Sequence, residues 1–135
     1  MSFIASNPLQ GLGTIIDNGH CMRHVQIVAG VPHSSRLRRG LRVIDVEDVP
    51  RGTVIATFDA AGRYTNATDG SSHIAIFLER RRDGLRVIDQ WRGRHGGVGE
   101  RTIHFNAGTG SAANDADAYY IAEDETWQPP ATATV

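Results

Sequence analysis

Cys21 is the single cysteine of this 135-residue chain and stands in the run Asp17-Asn18-Gly19-His20-Cys21-Met22-Arg23-His24. A glycine-containing turn precedes it, and Cys21 to Ala29, a segment able to be helical, follows. The sulfur then sits on the first helical turn, where unpaired backbone N–H groups and the helix dipole favour a thiolate. Such a cysteine titrates at roughly 3.5–7.5 instead of about 8.5, which makes it a nucleophile at neutral pH. Downstream, Ser72-His73-Ile74-Ala75-Ile76-Phe77-Leu78 supplies a histidine at the mouth of a strand. The next strand, Arg86-Val87-Ile88-Asp89-Gln90-Trp91, supplies a carboxylate and an amide.

Each residue has a role and competitors. Taken alone, a lone cysteine is more often a small buried hydrophobe than a nucleophile. The Gly-x-Cys setting and the later histidine favour the nucleophile. His73 is the expected base, taking the thiol proton and returning one to a leaving amine. His24 lies at i+3 from Cys21, within reach of the sulfur, and is the second candidate. His20 adjoins Cys21, a spacing at which side chains on an entry turn meet poorly. Asp89 is expected to orient the imidazole, since an anion also stabilises the imidazolium. Alternation sends Gln90 to the opposite sheet face, so only one of the two serves. The Cys21 N–H is the natural oxyanion donor, with Asn18 able to add a side-chain amide. Trp91 is a candidate substrate-binding residue, and Tyr64 another lining side chain. His20, Cys21, His24 and His73 form a possible zinc set, but neither a Cys-x-x-Cys pair nor a His-Glu-x-x-His helix is present. The residues therefore call for no metal and no cofactor.

The elements that must position these groups follow from periodicity and breakers. Residues 1–13 read as an irregular arm. Gly30-Val31-Pro32 ends the helix that starts at Cys21, and Leu37 to Gly40 adds a helical turn. From residue 41 the pattern turns to period two. Strands are expected over Leu41–Val46, Thr53–Phe58, His73–Glu79, Leu85–Trp91 and Arg101–Phe105, with Ala118–Ala122 closing the sheet. Asp83-Gly84 is the expected tip of a hairpin. Gly93 to Gly99 reads as a mobile loop. An N-terminal helix followed by an antiparallel meander is an α+β layout. One domain over residues 1–127 is expected, with 128–135 a flexible tail.

Composition narrows the partners. Forty per cent hydrophobic and 21% charged residues suit a globular domain, which at this length buries about two thirds of its unfolded surface. A net charge of −1 gives no reason to expect nucleic acid. All 14 basic residues are arginine, which reflects coding bias first, although arginine is also the better carboxylate binder. No apolar run approaches the roughly 18 residues of a membrane helix, and Met1 to Pro8 lacks the features of a secretory signal. Synthesis in the cytoplasm without a signal peptide is the expectation, with any export left to a signal-independent system.

Five stretches together resemble the small bacterial family called BPSL0067-like, itself similar to NlpC-type and CHAP-type papain-fold amidases. They are Asn18 to Gln26, Gly52 to Phe58, Gly62-Arg63-Tyr64, His73 to Leu78 and Val87-Ile88-Asp89-Gln90-Trp91, within residues 18–91. The resemblance implies a papain-like fold that hydrolyses amide bonds of peptidoglycan stem peptides through a thioester. By position, Cys21 matches the family nucleophile and His73 its base, while Asp89 falls where NlpC-type enzymes place a third polar residue. Related small amidases are type VI secretion effectors, delivered into a rival's periplasm and neutralised at home by an immunity protein. Those partners are therefore expected, together with a peptidoglycan peptide as substrate. The order cysteine before histidine argues against the permuted lecithin:retinol acyltransferase-like proteins. The alternatives are a cysteine peptidase or deamidase acting on a protein, and a catalytically silent binding module of the same fold.

Overall fold

A computed structural model describes residues 1–130; the part of the expected tail at 131–135 lies outside them. One helix, α1 (Cys21–Ala29), is followed by β1 (Arg38–Arg42), β2 (Val54–Ala56), β3 (Ile74–Arg80), β4 (Gly84–Asp89), β5 (Gly99–His104) and β6 (Tyr120–Glu123). The strands form one antiparallel sheet in the order β1-β6-β2-β3-β4-β5. The α+β expectation is met, with an antiparallel meander running from β2 to β5. No helix among the described residues is long and apolar enough to cross a membrane.

Both sheet faces are buried, which is why β2 and β3 read as unbroken apolar runs. On one face, Met22, Val25 and Val28 of α1 pack on Val54, Ile74, Ile76 and Ile88. On the other, Ile55, Phe77, Leu85, Val87 and Ile103 are covered by Val43, Ala116 and Tyr119 from connecting segments. Helix α1 ends at Gly30, in the left-handed conformation at φ 69°, whose N–H donates to the Gln26 carbonyl. The helix starts without a side-chain cap at His20, so its first N–H groups have no side chain to answer them.

Several segments depart from the sequence expectation, each for a physical reason. The helical turn falls earlier, over Ser34–Arg36, and residues 38–42 are extended. Gly40 allows this: a Cβ there would lie 2.5 Å from the Ile121 carbonyl, so β1 and β6 approach closely. The strand expected over Leu41–Val46 stops at Arg42, because Val43 N–H donates to the Tyr119 carbonyl and the chain turns through Val43–Asp45. Strand β6 does not close the sheet; it lies inside it, between β1 and β2. The N-terminal arm is only partly irregular, since Ser2 pairs with Glu123 and Ile4 with Thr53. The Gly93–Gly99 loop is tied down, with Val98 N–H donating to Thr14 O and Gly13 N–H to Val98 O, both at 2.8 Å.

The hairpin between β3 and β4 is also shifted. Arg81 and Gly84 exchange backbone hydrogen bonds, so Arg82-Asp83 is the tip and Gly84 opens β4. Glycine is needed at this position for close approach: a Cβ would lie 2.1 Å from the Ile103 carbonyl of β5. Gly84→Ala is expected to push β4 from β5 and cost roughly 2–3 kcal/mol, read as a lower denaturant midpoint. An unchanged midpoint would show that the strand pair tolerates the methyl group.

Candidate active site

The turn into α1 fixes the sulfur. Gly19, at φ 84°, turns the chain, and Asn18 Oδ1 accepts a hydrogen bond from His20 N–H. Behind this turn lies Gln90, wholly buried. Its Oε1 accepts from Ile16 N–H at 2.8 Å, and its Nε2 donates to the Ile16 and His20 carbonyls at 2.9 and 3.1 Å. Gln90 thus fastens the segment that delivers Cys21 to the end of the meander. Asp89 and Gln90 point opposite ways, as strand alternation requires.

His73 stands just before β3, and its backbone is held from both sides by Thr57. Thr57 N–H donates to the His73 carbonyl, and His73 N–H donates to Thr57 Oγ1, both at 3.0 Å. The His73 ring is buried, with Nε2 2.8 Å from Asp89 Oδ2. That leaves Nδ1 as the nitrogen free to serve the Cys21 thiol, whose pKa the ring lowers. The Tyr64 hydroxyl lies 3.5 Å from the sulfur on its other side.

Asp89 is fully buried and holds two guanidinium groups besides the imidazole. Arg94 Nη1 donates to Oδ1 at 2.6 Å and Arg101 Nε to Oδ2 at 2.7 Å. Trp91 roofs the cluster, meeting the His73 ring edge-on at 6.3 Å with the Arg94 and Arg101 guanidinium carbons 4.3 and 5.1 Å from its centre. Gly99 leaves room for Arg94, since a Cβ there would lie 2.7 Å from Nη2.

The charges follow from these contacts. Burial pushes the Asp89 carboxyl up, but hydrogen bonding and charge from His73, then Arg101, hold it at about 2. Burial opposes the His73 imidazolium, yet hydrogen bonds to Asp89 and Cys21 and their negative charges raise it to about 9. Burial also opposes the Cys21 thiolate, and the hydrogen bond and charge of His73, the Tyr64 hydroxyl and the Ile74 N–H outweigh it. The thiol is left below its usual range. Tyr64 is raised well above the ordinary phenol range by burial and the adjacent sulfur, so it stays a neutral donor. The cluster favours a thiolate–imidazolium pair on a permanent carboxylate.

Cys21, His73 and Asp89 therefore meet, and Asn18 and Trp91 line the same open groove of about 1010 Å³. His20 lies on this groove as well. A depression of about 340 Å³ between Val43 and Arg80 holds none of the candidate residues. His24 is no rival base: it is wholly buried, and neither ring nitrogen has a hydrogen-bond partner. Its burial also separates it from the proposed zinc set, and among the described residues no group of three or more such side chains is placed to hold a metal. Arg94, Arg101, Thr57 and the stapling role of Gln90 were not expected from sequence. Arg101 had a readable signal, because a carboxylate on a buried strand needs a cation and β5 is the next strand.

A helix bearing a thiol at its N-terminus, packed on an antiparallel sheet bearing histidine and aspartate, is the layout of the papain-like fold. The chain belongs to the domesticated amidase effector 2 family, whose model matches residues 2–122. It is 31% identical over 135 residues to a type VI secretion amidase effector 2 protein of Salmonella typhi, covering 91% of this chain and 100% of that one. A solved structure of a type 6 secretion amidase effector 2 superposes with a TM-score of 0.76 at 29% identity, covering 90% of this chain and 94% of that one. Family membership places the chain among hydrolases of amide bonds and agrees with the resemblance drawn from its sequence blocks.

His24 generates a stability prediction of its own. Burial, outweighing the attraction of Asp89, holds its pKa at about 4 instead of 6.5. The unfolded chain therefore binds a proton that the folded one refuses, and stability falls as pH drops from 6.5 toward 4. The loss from this group is on the order of 3 kcal/mol. His24→Leu should remove that part of the acid sensitivity, measured by urea unfolding at pH 7 and pH 4.5. An equal acid loss in both proteins would refute the assignment.

Proposed function

We propose that the protein is a cysteine amidase that cleaves stem-peptide amide bonds of bacterial peptidoglycan as an antibacterial type VI secretion effector. The observation that carries the chemistry is the buried His73–Asp89 pair set against the Cys21 thiol at an uncapped helix N-terminus. Membership in an amidase effector family supports the substrate and the route. In this reading the target-cell periplasm is the site of action, the secretion machinery delivers the protein, and an immunity protein protects the producer.

The reaction runs in two halves. The Cys21 thiolate attacks the amide carbonyl, and the tetrahedral oxyanion is met by the Cys21 backbone N–H at the start of α1. His73 Nδ1 gives its proton to the departing amine, which leaves a thioester. Water then attacks the thioester, His73 takes a proton from it, and the acid departs as the thiolate re-forms. Asp89 keeps Nε2 protonated and the ring in place throughout. Trp91 shields the pair from bulk water and, with Asn18, bounds the substrate.

Pure protein on purified sacculi should release new muropeptides, and Cys21→Ala should release none. The ion pair exists between the lowered thiol pKa and the raised imidazole pKa. As pH rises through about 9, His73 loses its proton and can no longer protonate the leaving amine. kcat/KM should fall there. Intact sacculi with folded, reduced wild type would overturn the peptidoglycan reading. Equal release by Cys21→Ala would overturn the cysteine reading.

A further inference from the structure

The groove around Cys21 is one-signed. Its lining includes Arg23, Arg92 and Arg101 with His20, His33 and His73, and not one aspartate or glutamate. The chain as a whole has 15 acidic and 14 basic residues, so the asymmetry belongs to the groove. Two of the three guanidinium groups are already committed. Arg23 is tied to Asp17 Oδ2 at 3.2 Å and to Gln26 Oε1 at 2.6 Å. Arg101 is tied to Asp89 and to Asn114 Oδ1. Arg92 is exposed in the groove and has no carboxylate partner among the described residues.

The chain carrying Arg92 is held on both sides. Gln90 is stapled to Ile16 and His20, and Trp91 stacks on Arg94 and Arg101. The Arg92 backbone packs beside Gly19, with its Cα 3.8 Å from where a Gly19 Cβ would sit. An arginine with no carboxylate partner among the described residues is therefore anchored by its backbone beside Gly19, two residues before the nucleophile, with its side chain on the groove. A planar guanidinium of this kind recognises carboxylates through paired hydrogen bonds, and its pull is reinforced where no acidic side chain competes.

We infer that Arg92 is a specificity residue that binds a free carboxylate of the substrate peptide next to the scissile amide. This rests on the peptidoglycan amidase reading and adds a chemical requirement to it: the preferred peptide is anionic close to the bond that is cut. Peptides whose carboxylates are masked as carboxamides are poorer substrates. Arg92 holds the substrate and takes no part in proton transfer, so its loss acts on KM and leaves the reactivity of Cys21 unchanged.

The test compares muropeptides isolated from sacculi with the same muropeptides converted to carboxamides, binding to the Cys21→Ala protein by calorimetry. Amidation should weaken binding about tenfold. In Cys21→Ala carrying Arg92→Gln, both forms should bind alike and weakly, and Arg92→Lys should restore part of the preference. Equal binding of the two forms to Cys21→Ala, absence of measurable binding, or an amidation effect that survives Arg92→Gln would each overturn the inference. Turnover by wild type separates the two claims. Preferred binding without cleavage would sink the amidase reading and leave the subsite standing. Cleavage without preference would do the reverse. Iodoacetamide should alkylate Cys21 at the same rate in Arg92→Gln and wild type, and a slowed rate would show that Arg92 acts on the thiol instead of the substrate.

Discussion

A carboxylate buried at the end of a central strand is stable only if cations answer it, because desolvating an anion costs several kcal/mol. Asp89 meets that requirement with three partners: the His73 imidazole, Arg94 and Arg101. The rest of the site depends on this cluster. The carboxylate stays ionised, so the imidazole stays protonated, so the thiol beside it can lose its proton. Each step transfers part of the cost of burial from one group to the next. Removing the anion would leave two arginines and a histidine facing one another beneath Trp91.

The fold provides two independent supports for the cluster. One is the meander, in which β3 brings His73, β4 brings Asp89, and β5 with its preceding loop brings the two arginines. The other is the helix entrance, which Gln90 fastens to the meander through its hydrogen bonds to Ile16 and His20. Adjacent residues of one strand end thus serve opposite faces. Asp89 governs the charge of the imidazole, and Gln90 governs the position of the sulfur. Thr57 completes the arrangement by fixing the backbone of His73.

Much of this was legible in the sequence, and the reasons are local. The glycine turn before Cys21 and the glycine after Ala29 mark the ends of α1, and a nine-residue helix needs little else to be placed. Apolar, β-branched runs marked β3 and β4, and with them the facing of His73 and Asp89. What was not legible depends on contacts distant in sequence. Gly84 looks like a hairpin tip residue, yet its requirement comes from the Ile103 carbonyl one strand away. The Gly93–Gly99 loop looks mobile, but Thr14 and Val98 fasten it to the N-terminal arm, and Arg94 within it reaches Asp89. His24 lies at helical spacing from the thiol, and only the packing of α1 on the sheet shows that it faces the core.

The central claim is that Asp89 sets the ionisation of Cys21 through His73. The most direct measurement is the rate of Cys21 alkylation by iodoacetamide as a function of pH, in wild type and in Asp89→Asn, with folding of both checked by circular dichroism. A thiolate held by the imidazolium would give wild type a reactive plateau beginning below the usual thiol range and a second inflection near pH 9, where His73 titrates. In Asp89→Asn the imidazole would lose its anion, the upper inflection would move down, and the onset of thiol reactivity would move up. A single inflection at the ordinary thiol value of about 8.5 in a folded wild type, unchanged by the substitution, would contradict the account.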